Sequence, residues 1–358
     1  MLTAAGCKQR VSNFLMALQP TATIRLADPL HLRYLAGLYV DPFNLSADFG
    51  AVLAIEPDGT TTLSHDHRLP KESIANAHAD KLVALPWYDG QTPGHGPRRM
   101  ILASALPDGP AHDTVGHPQA ARTHEALARL RRRKLPDEIE LLKRCMMATE
   151  AGHAWAMANI AAGMTELDVY TGVFAVCTKA VGHASIVYGD FAVSPGTSRK
   201  GGPPTGQILK DGDLFILDFS VVIGGYRSDF TNSLSVGKKP STAQQEQFDL
   251  CLAAMAAGEA QLKAGTRCQA VYDAVAGVFA AAGKLAAFPH HAGHGLGVSH
   301  PEAPFFVAHS SEVLQEGDVV TLEPGLYVDG VGGMRIEHNY AITATGYERL
   351  SHHRIALV

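Results

Sequence analysis

Two phrases far apart in this chain constrain its fold more than any other feature. LKDGDLFILD at 209–218 and LQEGDVVTLE at 314–323 share one pattern: Leu, two residues, Gly-Asp, a mostly apolar run, Leu, then an acid. Each is followed by Gly-Gly-x-Arg-x-acid, as GGYRSD at 224–229 and GGMRIE at 332–337. A repeat of this kind implies two related hairpins and an internal pseudo-symmetry. With helical stretches before each copy, it predicts an α+β fold.

The first copy can be read in register. If Gly224 and Gly225 form a two-residue turn, Ile223 faces Tyr226 and Asp218 faces Thr231. Side chains alternate along a strand, so Asp229 shares the face of Asp218 as its diagonal neighbour, roughly 7–8 Å away at the backbone. Two ionised carboxylates converging there repel unless a cation lies between them or one is protonated. The second copy supplies Glu323 and Glu337; its register stays open, because Pro324-Gly325 interrupts the strand. Four acids from two hairpins suit two cations held close together. The stretch HHAGHGLGVSHPEAP (290–304) adds imidazoles, and His294, between Gly293 and Gly295, is the best ligand candidate among them. Oxygen-rich ligation with one imidazole favours manganese, cobalt or zinc over a thiolate site.

The rest of the chain frames this site. Residues 1–125 read as a smaller α/β domain, with a helix at RVSNFLMALQ and a strand, turn and strand in FGAVLAIEPDGTTTLS. The stretch 86–118 is dense in Pro, Gly and His and reads mostly as loop. Residues 126–358 form the second domain, opening on a long helix that starts at Pro136-Asp137-Glu138. The basic run Arg131–Lys134 reads as a solvated helix end or linker. Thr165 is a plausible N-cap, and further helices follow in STAQQEQFDLCLAAMAAGEAQLKAG and CQAVYDAVAGVFAAAG. The net charge of −5 implies no strong attraction to nucleic acid or to an anionic membrane. Five scattered cysteines without a C-x-x-C pair point to reduced thiols and a cytoplasmic protein. No signal peptide or membrane span is expected, and the 18 histidines, mostly in Pro/Gly-rich turns, call for no special role as a group.

Taken together, Asp218, Asp229, Gly-His-Gly at 293–295, Glu-Pro-Gly at 323–325 and Arg-x-Glu at 335–337 resemble the family of methionine aminopeptidase, aminopeptidase P, prolidase and creatinase. The resemblance covers about residues 130–358 and implies the pita-bread fold, with its internal pseudo-two-fold. Residues 1–125, with LRYLAGL, more weakly resemble the N-terminal domain of the aminopeptidase P, prolidase and creatinase branch.

The resemblance implies that Asp218, Asp229, His294, Glu323 and Glu337 bind two divalent metal ions, with Asp229 and Glu337 bridging. It implies that Glu323 moves a proton, that His300 contacts the scissile carbonyl, that His291 lines the substrate pocket, and that Arg335 either meets a substrate carboxylate or holds Glu337. It further implies hydrolysis of small peptides with proline at the second position, by a homodimer. An Xaa-Pro dipeptidase is the leading expectation, with aminopeptidase P or a non-peptidase C–N hydrolase as alternatives. The intact ligand set counts against a binding module that has lost catalysis. One position departs from the family: Gly201 stands where a histidine is usual. His183, Tyr188 or a water could compensate, or the chemistry could differ.

Overall fold

The computed structural model describes residues 1–42, 50–93 and 96–358. Phe49, at the start of the run read as strand, turn and strand, and residues 94–95 within the 86–118 stretch lie outside the described residues. The chain divides into two compact units, Met1–Arg131 with Leu135–Glu138, and Arg132–Lys134 with Ile139–Val358.

The first unit contains α1 (Ala4–Leu18), β1 (Ile24–Leu26), α2 (Pro29–Ala36), β2 (Ala51–Ile55), β3 (Thr61–Asp66), α3 (Lys71–Ala75), β4 (Lys81–Leu85) and α4 (Ala120–Arg132). The strands form one sheet in the order β1-β2-β3-β4, antiparallel except for the parallel β3–β4 pair. Side-chain caps start the helices: Thr3 accepts from the Gly6 N–H, and Asp28 accepts from the Leu30 N–H with Pro29 in the first turn. Phe14, Leu26, Leu35, Leu53, Ile55 and Leu63 are buried to completion in its core. Each such side chain contributes about 1.5–3 kcal/mol through burial. The stretch 86–118 is more ordered than its composition suggests, since Arg98–Ala105 forms a 3₁₀ helix.

The second unit repeats one plan. α5 (Pro136–Asn159, its first residues in the first unit) and α6 (Glu166–Val181) precede β5 (Ile186–Val193), β6 (Leu214–Ile223), β7 (Tyr226–Arg227) and β8 (Phe230–Ser235). α7 (Thr242–Glu259) and α8 (Cys268–Ala281) then precede β9 (Gly293–Gly295), β10 (Glu302–Phe306), β11 (Val319–Leu322), β12 (Gly325–Val328), β13 (Gly332–Arg335), β14 (His338–Ile342) and β15 (Tyr347–Arg349). Full capping boxes open α6, through Thr165 and Asp168, and α7, through Ser241 and Gln244. β6 pairs with β5 on one side and with β7 and β8 on the other; the second sheet runs β10-β9-β11-β14-β15, and β12 and β13 form a separate hairpin.

The basic run before α5 departs from its solvated reading. Arg132 is buried and donates from Nε and Nη2 to the carboxylate of Asp318, at 3.0 and 2.6 Å. Lys134 is buried too, with Nζ 2.6 Å from Glu302 Oε1. These cations have partners far along the chain, which local charge patterning does not reveal.

Candidate metal centre

The first hairpin has the register that its glycines imply. Ile223 pairs with Tyr226 and Asp218 with Thr231. Gly224 and Gly225 both take positive φ, 56° and 86°, as a type I′ turn requires. The ladder breaks between β7 and β8, where Asp229 sits. Its backbone N–H donates to Asn339 Oδ1 at 3.2 Å, and Asn339 Nδ2 donates back to its carbonyl. This exchange ties the first acid hairpin to β14 of the second.

The second copy is built differently. Its first strand stops at Leu322, and Glu323 follows before Pro324 starts a separate hairpin in which Gly325 pairs with Arg335. Glu337 precedes β14, whose His338 faces Leu322. Thr231 on the first hairpin donates to Glu337 Oε2 at 2.7 Å, and Thr321 donates to Glu323 Oε1 at 3.2 Å.

These elements bring the five proposed ligands together. Asp218, Asp229 and Glu337 offer ligand atoms within 4.8 Å of one another, and Asp229 does the same with His294 and His300. His294 Nδ1 meets the Gly295 carbonyl at 2.9 Å, while Nε2 lies 3.4 Å from Asp229 Oδ2 and 3.6 Å from Glu323 Oε1. His300 Nε2 is 2.7 Å from Asp229 Oδ2. His291 Nδ1 lies 3.4 Å from Glu323 Oε1 without the geometry of a hydrogen bond. All but Glu337, which is buried, line a pocket of about 570 Å³.

Arg335 lines the pocket, and its link to Glu337 is indirect, through Thr231, which accepts from Arg335 Nε at 3.4 Å and donates to Glu337. Among the described residues no hydrogen bond or ion pair joins Arg335 directly to Glu337. Its Nη2 donates to Asp218 Oδ2 and, at 2.7 Å, to Asp190 Oδ2; its Nη1 donates to the Tyr327 hydroxyl at 2.8 Å. The guanidinium bonds acids of the site while it lines the pocket.

The electrostatics suit cations. Burial, then repulsion from Asp229 and Asp190 against the pull of Arg335, pushes Asp218 up to about 6. Burial likewise pushes Glu323 up to about 7, and burial with the charge of Asp229 drives Glu337 well above the carboxylate range. For Asp229, burial is outweighed by the bonds from His294 and His300, and its pKa falls. For His294, burial is outweighed by Asp229 and Glu323, and its pKa rises to about 9. Asp218 Oδ1 and Glu337 Oε1 are buried with no hydrogen-bond partner. Orphaned carboxylate oxygens and acids that resist ionisation are what a divalent-cation site looks like without its ions, so the donor set fits metal.

Two wall residues escaped sequence reasoning. Asp190 faces Asp218 across β5–β6, and Tyr327 lies on β12. Only the strand pairing brings them in, although Tyr-Gly-Asp at 188–190 was an available hint of a fifth acid. Of the residues considered as substitutes at Gly201, Tyr188 lines the pocket and accepts from Arg227 Nη1 at 2.7 Å. His183 is exposed, its Nδ1 against the Ala184 carbonyl. A Cβ at Gly201, where φ is 156°, would lie 2.0 Å from Asp190 Oδ2.

The fold and the sequence are similar to those of known proteins. In fold, the chain is similar to an Xaa-Pro dipeptidase from Bacillus anthracis (TM-score 0.78, 24% identity, 99% of each chain) and to an X-Pro aminopeptidase from Thermotoga maritima (TM-score 0.78, 19% identity, 98% of each chain). The fold is therefore the pita-bread fold. In sequence, it is 31% identical over 231 residues to an uncharacterized peptidase, YqhT, of Bacillus subtilis, and that match spans 64% of either protein. It is 31% identical over 281 residues to the probable dipeptidase PepE of Mycobacterium tuberculosis, covering 74% of this chain and 73% of that one. The model of metallopeptidase family M24 matches residues 140–344, the stretch that holds every acid and imidazole of the site, and so the chain belongs to family M24.

Proposed function

We propose that this protein hydrolyses the peptide bond preceding proline, acting on Xaa-Pro dipeptides as a prolidase with two divalent ions. The observation that carries the reading is the convergence of Asp218, Asp229, Glu323 and His294 on one pocket, with Glu337 within 4.8 Å of Asp218 and Asp229 and buried carboxylate oxygens left unpaired. Asp218, Asp229, His294, Glu323 and Glu337 are the residues that would hold the ions, with Asp229 and Glu337 shared between them. Manganese suits this oxygen-rich set, with cobalt and zinc as alternatives. Such ions, when bound, supply Lewis acidity and a water ionised near neutral pH.

The chain's own groups do the rest. Glu323, adjacent to His291 on the pocket wall, is suited to accept and pass on a proton. His300, part-exposed on the pocket wall, offers an imidazole to the substrate carbonyl. His291 lines the pocket beside it. Arg335 orients Asp218 and Asp190 and thereby sets the pocket's polar wall. Residues 1–125 act in this reading as the creatinase/prolidase-type domain, within a homodimer. Five free, buried cysteines are consistent with a cytoplasmic setting, and no described helix is long and apolar enough to cross a membrane.

The test is a substrate panel with added manganese after chelation. Leu-Pro should be cut, while Leu-Pro-Pro and Ala-Ala should not, and chelation should abolish turnover. Efficient cleavage of Leu-Pro-Pro would move the assignment to aminopeptidase P. Undiminished turnover by a verified metal-free sample would remove the metal from the mechanism.

A further inference from the structure

The first unit holds a second group of metal-ligand side chains, apart from the M24 centre. Asp28, His31 and His124 each bring one ligand atom to within 4.8 Å of the others. Asp28 caps α2, His31 lies in its first turn, and His124 opens the second turn of α4. Neither imidazole is a turn residue of the kind to which the sequence reading assigned most histidines.

Asp113 organises the group. Its Oδ2 lies 2.9 Å from His31 Nδ1, and its backbone carbonyl lies 2.8 Å from His124 Nε2. A carboxylate and a carbonyl accept, so these two nitrogens carry the protons. In the neutral rings, His31 Nε2 and His124 Nδ1 keep their lone pairs, and neither has a hydrogen-bond partner among the described residues. His31 is only 1% exposed, and the two ring centroids are 4.6 Å apart. Asp28 uses Oδ1 for its cap, which leaves Oδ2 over. Asp113 is itself pinned by the Ala27 and Asp28 N–H groups. Metal-binding imidazoles have one ring N–H held by a carboxylate or carbonyl in this way, which leaves the other nitrogen for an ion. A plain His31–Asp113 ion pair would account for one of the two imidazole bonds and would give no role to His124 Nδ1 or the free Asp28 oxygen.

We propose that Asp28, His31 and His124 form a mononuclear site for a divalent transition-metal ion, with Asp113 as the residue that positions both imidazoles. Two imidazoles and a carboxylate match zinc, with one position open to water. The ion would join the start of α2 to the start of α4 within this unit.

Zinc binding to the chelator-stripped full-length chain tests the site, read by elemental analysis after dialysis and by competition with a chromophoric chelator. An Asp229→Asn/Glu337→Gln background, made to cripple the M24 centre, should retain one tight zinc. Adding Asp28→Asn should weaken that zinc by about tenfold or more, and adding His124→Gln should release it. Asparagine caps a helix as well as aspartate does, so metal-free Asp28→Asn should melt like its parent, and lost zinc would then not mean lost fold. If the background variant does not fold, the same comparison in the otherwise unaltered chain reads as one zinc fewer in Asp28→Asn. Cobalt substitution should give the strong visible bands of a four-coordinate ion, absent in His124→Gln. Equal zinc content and equal affinity in the parent, Asp28→Asn and His124→Gln would overturn the proposal.

Discussion

At the scale of single residues, Gly201 and the two acids proposed to be shared between ions, Asp229 and Glu337, are the sharpest points of test. The volume that a side chain at 201 would need is already filled by the Asp190 carboxylate, which accepts from the Gly202 N–H at 2.8 Å and from Arg335. Gly201→His should therefore lower kcat/KM about tenfold or more, rather than restore a family group, because the ring has to displace Asp190 and with it Arg335. Steady-state kinetics decide this, and a tenfold gain would show that the loop still accepts histidine. Asp229→Asn and Glu337→Gln should each lose bound manganese as well as turnover. Arg335→Lys should keep the metal but lose turnover on the order of 10–100-fold, since it orients ligands without being one. Metal content measured beside kcat separates the two effects.

Among the elements, the β9–β10 connection is the one most exposed to a remote change. It carries His300, and two residues later Glu302 is anchored to Lys134, whose side chain is 1% exposed. Breaking a buried pair leaves a charge without compensation, at a cost of about 3–5 kcal/mol. Lys134→Ala should destabilise by that order in urea, and Lys134→Met with Glu302→Leu should recover most of the loss. A Lys134→Ala protein within 1 kcal/mol of the parent, roughly the size of an exposed pair, would show that the pair is dispensable. The helices in this unit were more legible than this pair. Thr165 and Ser241 announce α6 and α7 through local capping chemistry, while Lys134 and Glu302 meet only because the chain returns.

For the whole molecule, acid sensitivity follows from histidines buried in neutral form. His153 and His353 lie with ring centroids 4.6 Å apart, packed against Phe230. Burial holds His153 well below its ordinary value and His353 down at about 4. The unfolded chain protonates these rings near pH 6.5, so between that value and the folded pKa it binds more protons than the native state. Stability is therefore full above about pH 6.5 and falls as pH drops toward 4, by roughly 2–3 kcal/mol for His353 alone. Urea midpoints at several pH values check this, and a midpoint that rises on acidification would contradict it.

What the sequence determined by itself was whatever depends on neighbours within one element or one hairpin. The Gly224-Gly225 turn set the register that places Asp218 opposite Thr231, because side-chain alternation leaves no other choice once the turn is fixed. Repetition of the phrase extended the same logic to Glu323 and Glu337, the flanking glycines singled out His294, and family likeness added His300. Tertiary structure decided what depends on separate segments meeting. It set Asp190 against Asp218 and turned Arg335 toward acids other than Glu337. It buried Arg132 and Lys134 against distant partners, and it gathered Asp28, His31, Asp113 and His124 from three stretches of chain. A carboxylate reads the same in sequence whether it meets water, a cation or a guanidinium; its partner is chosen only when the sheets close and water is excluded.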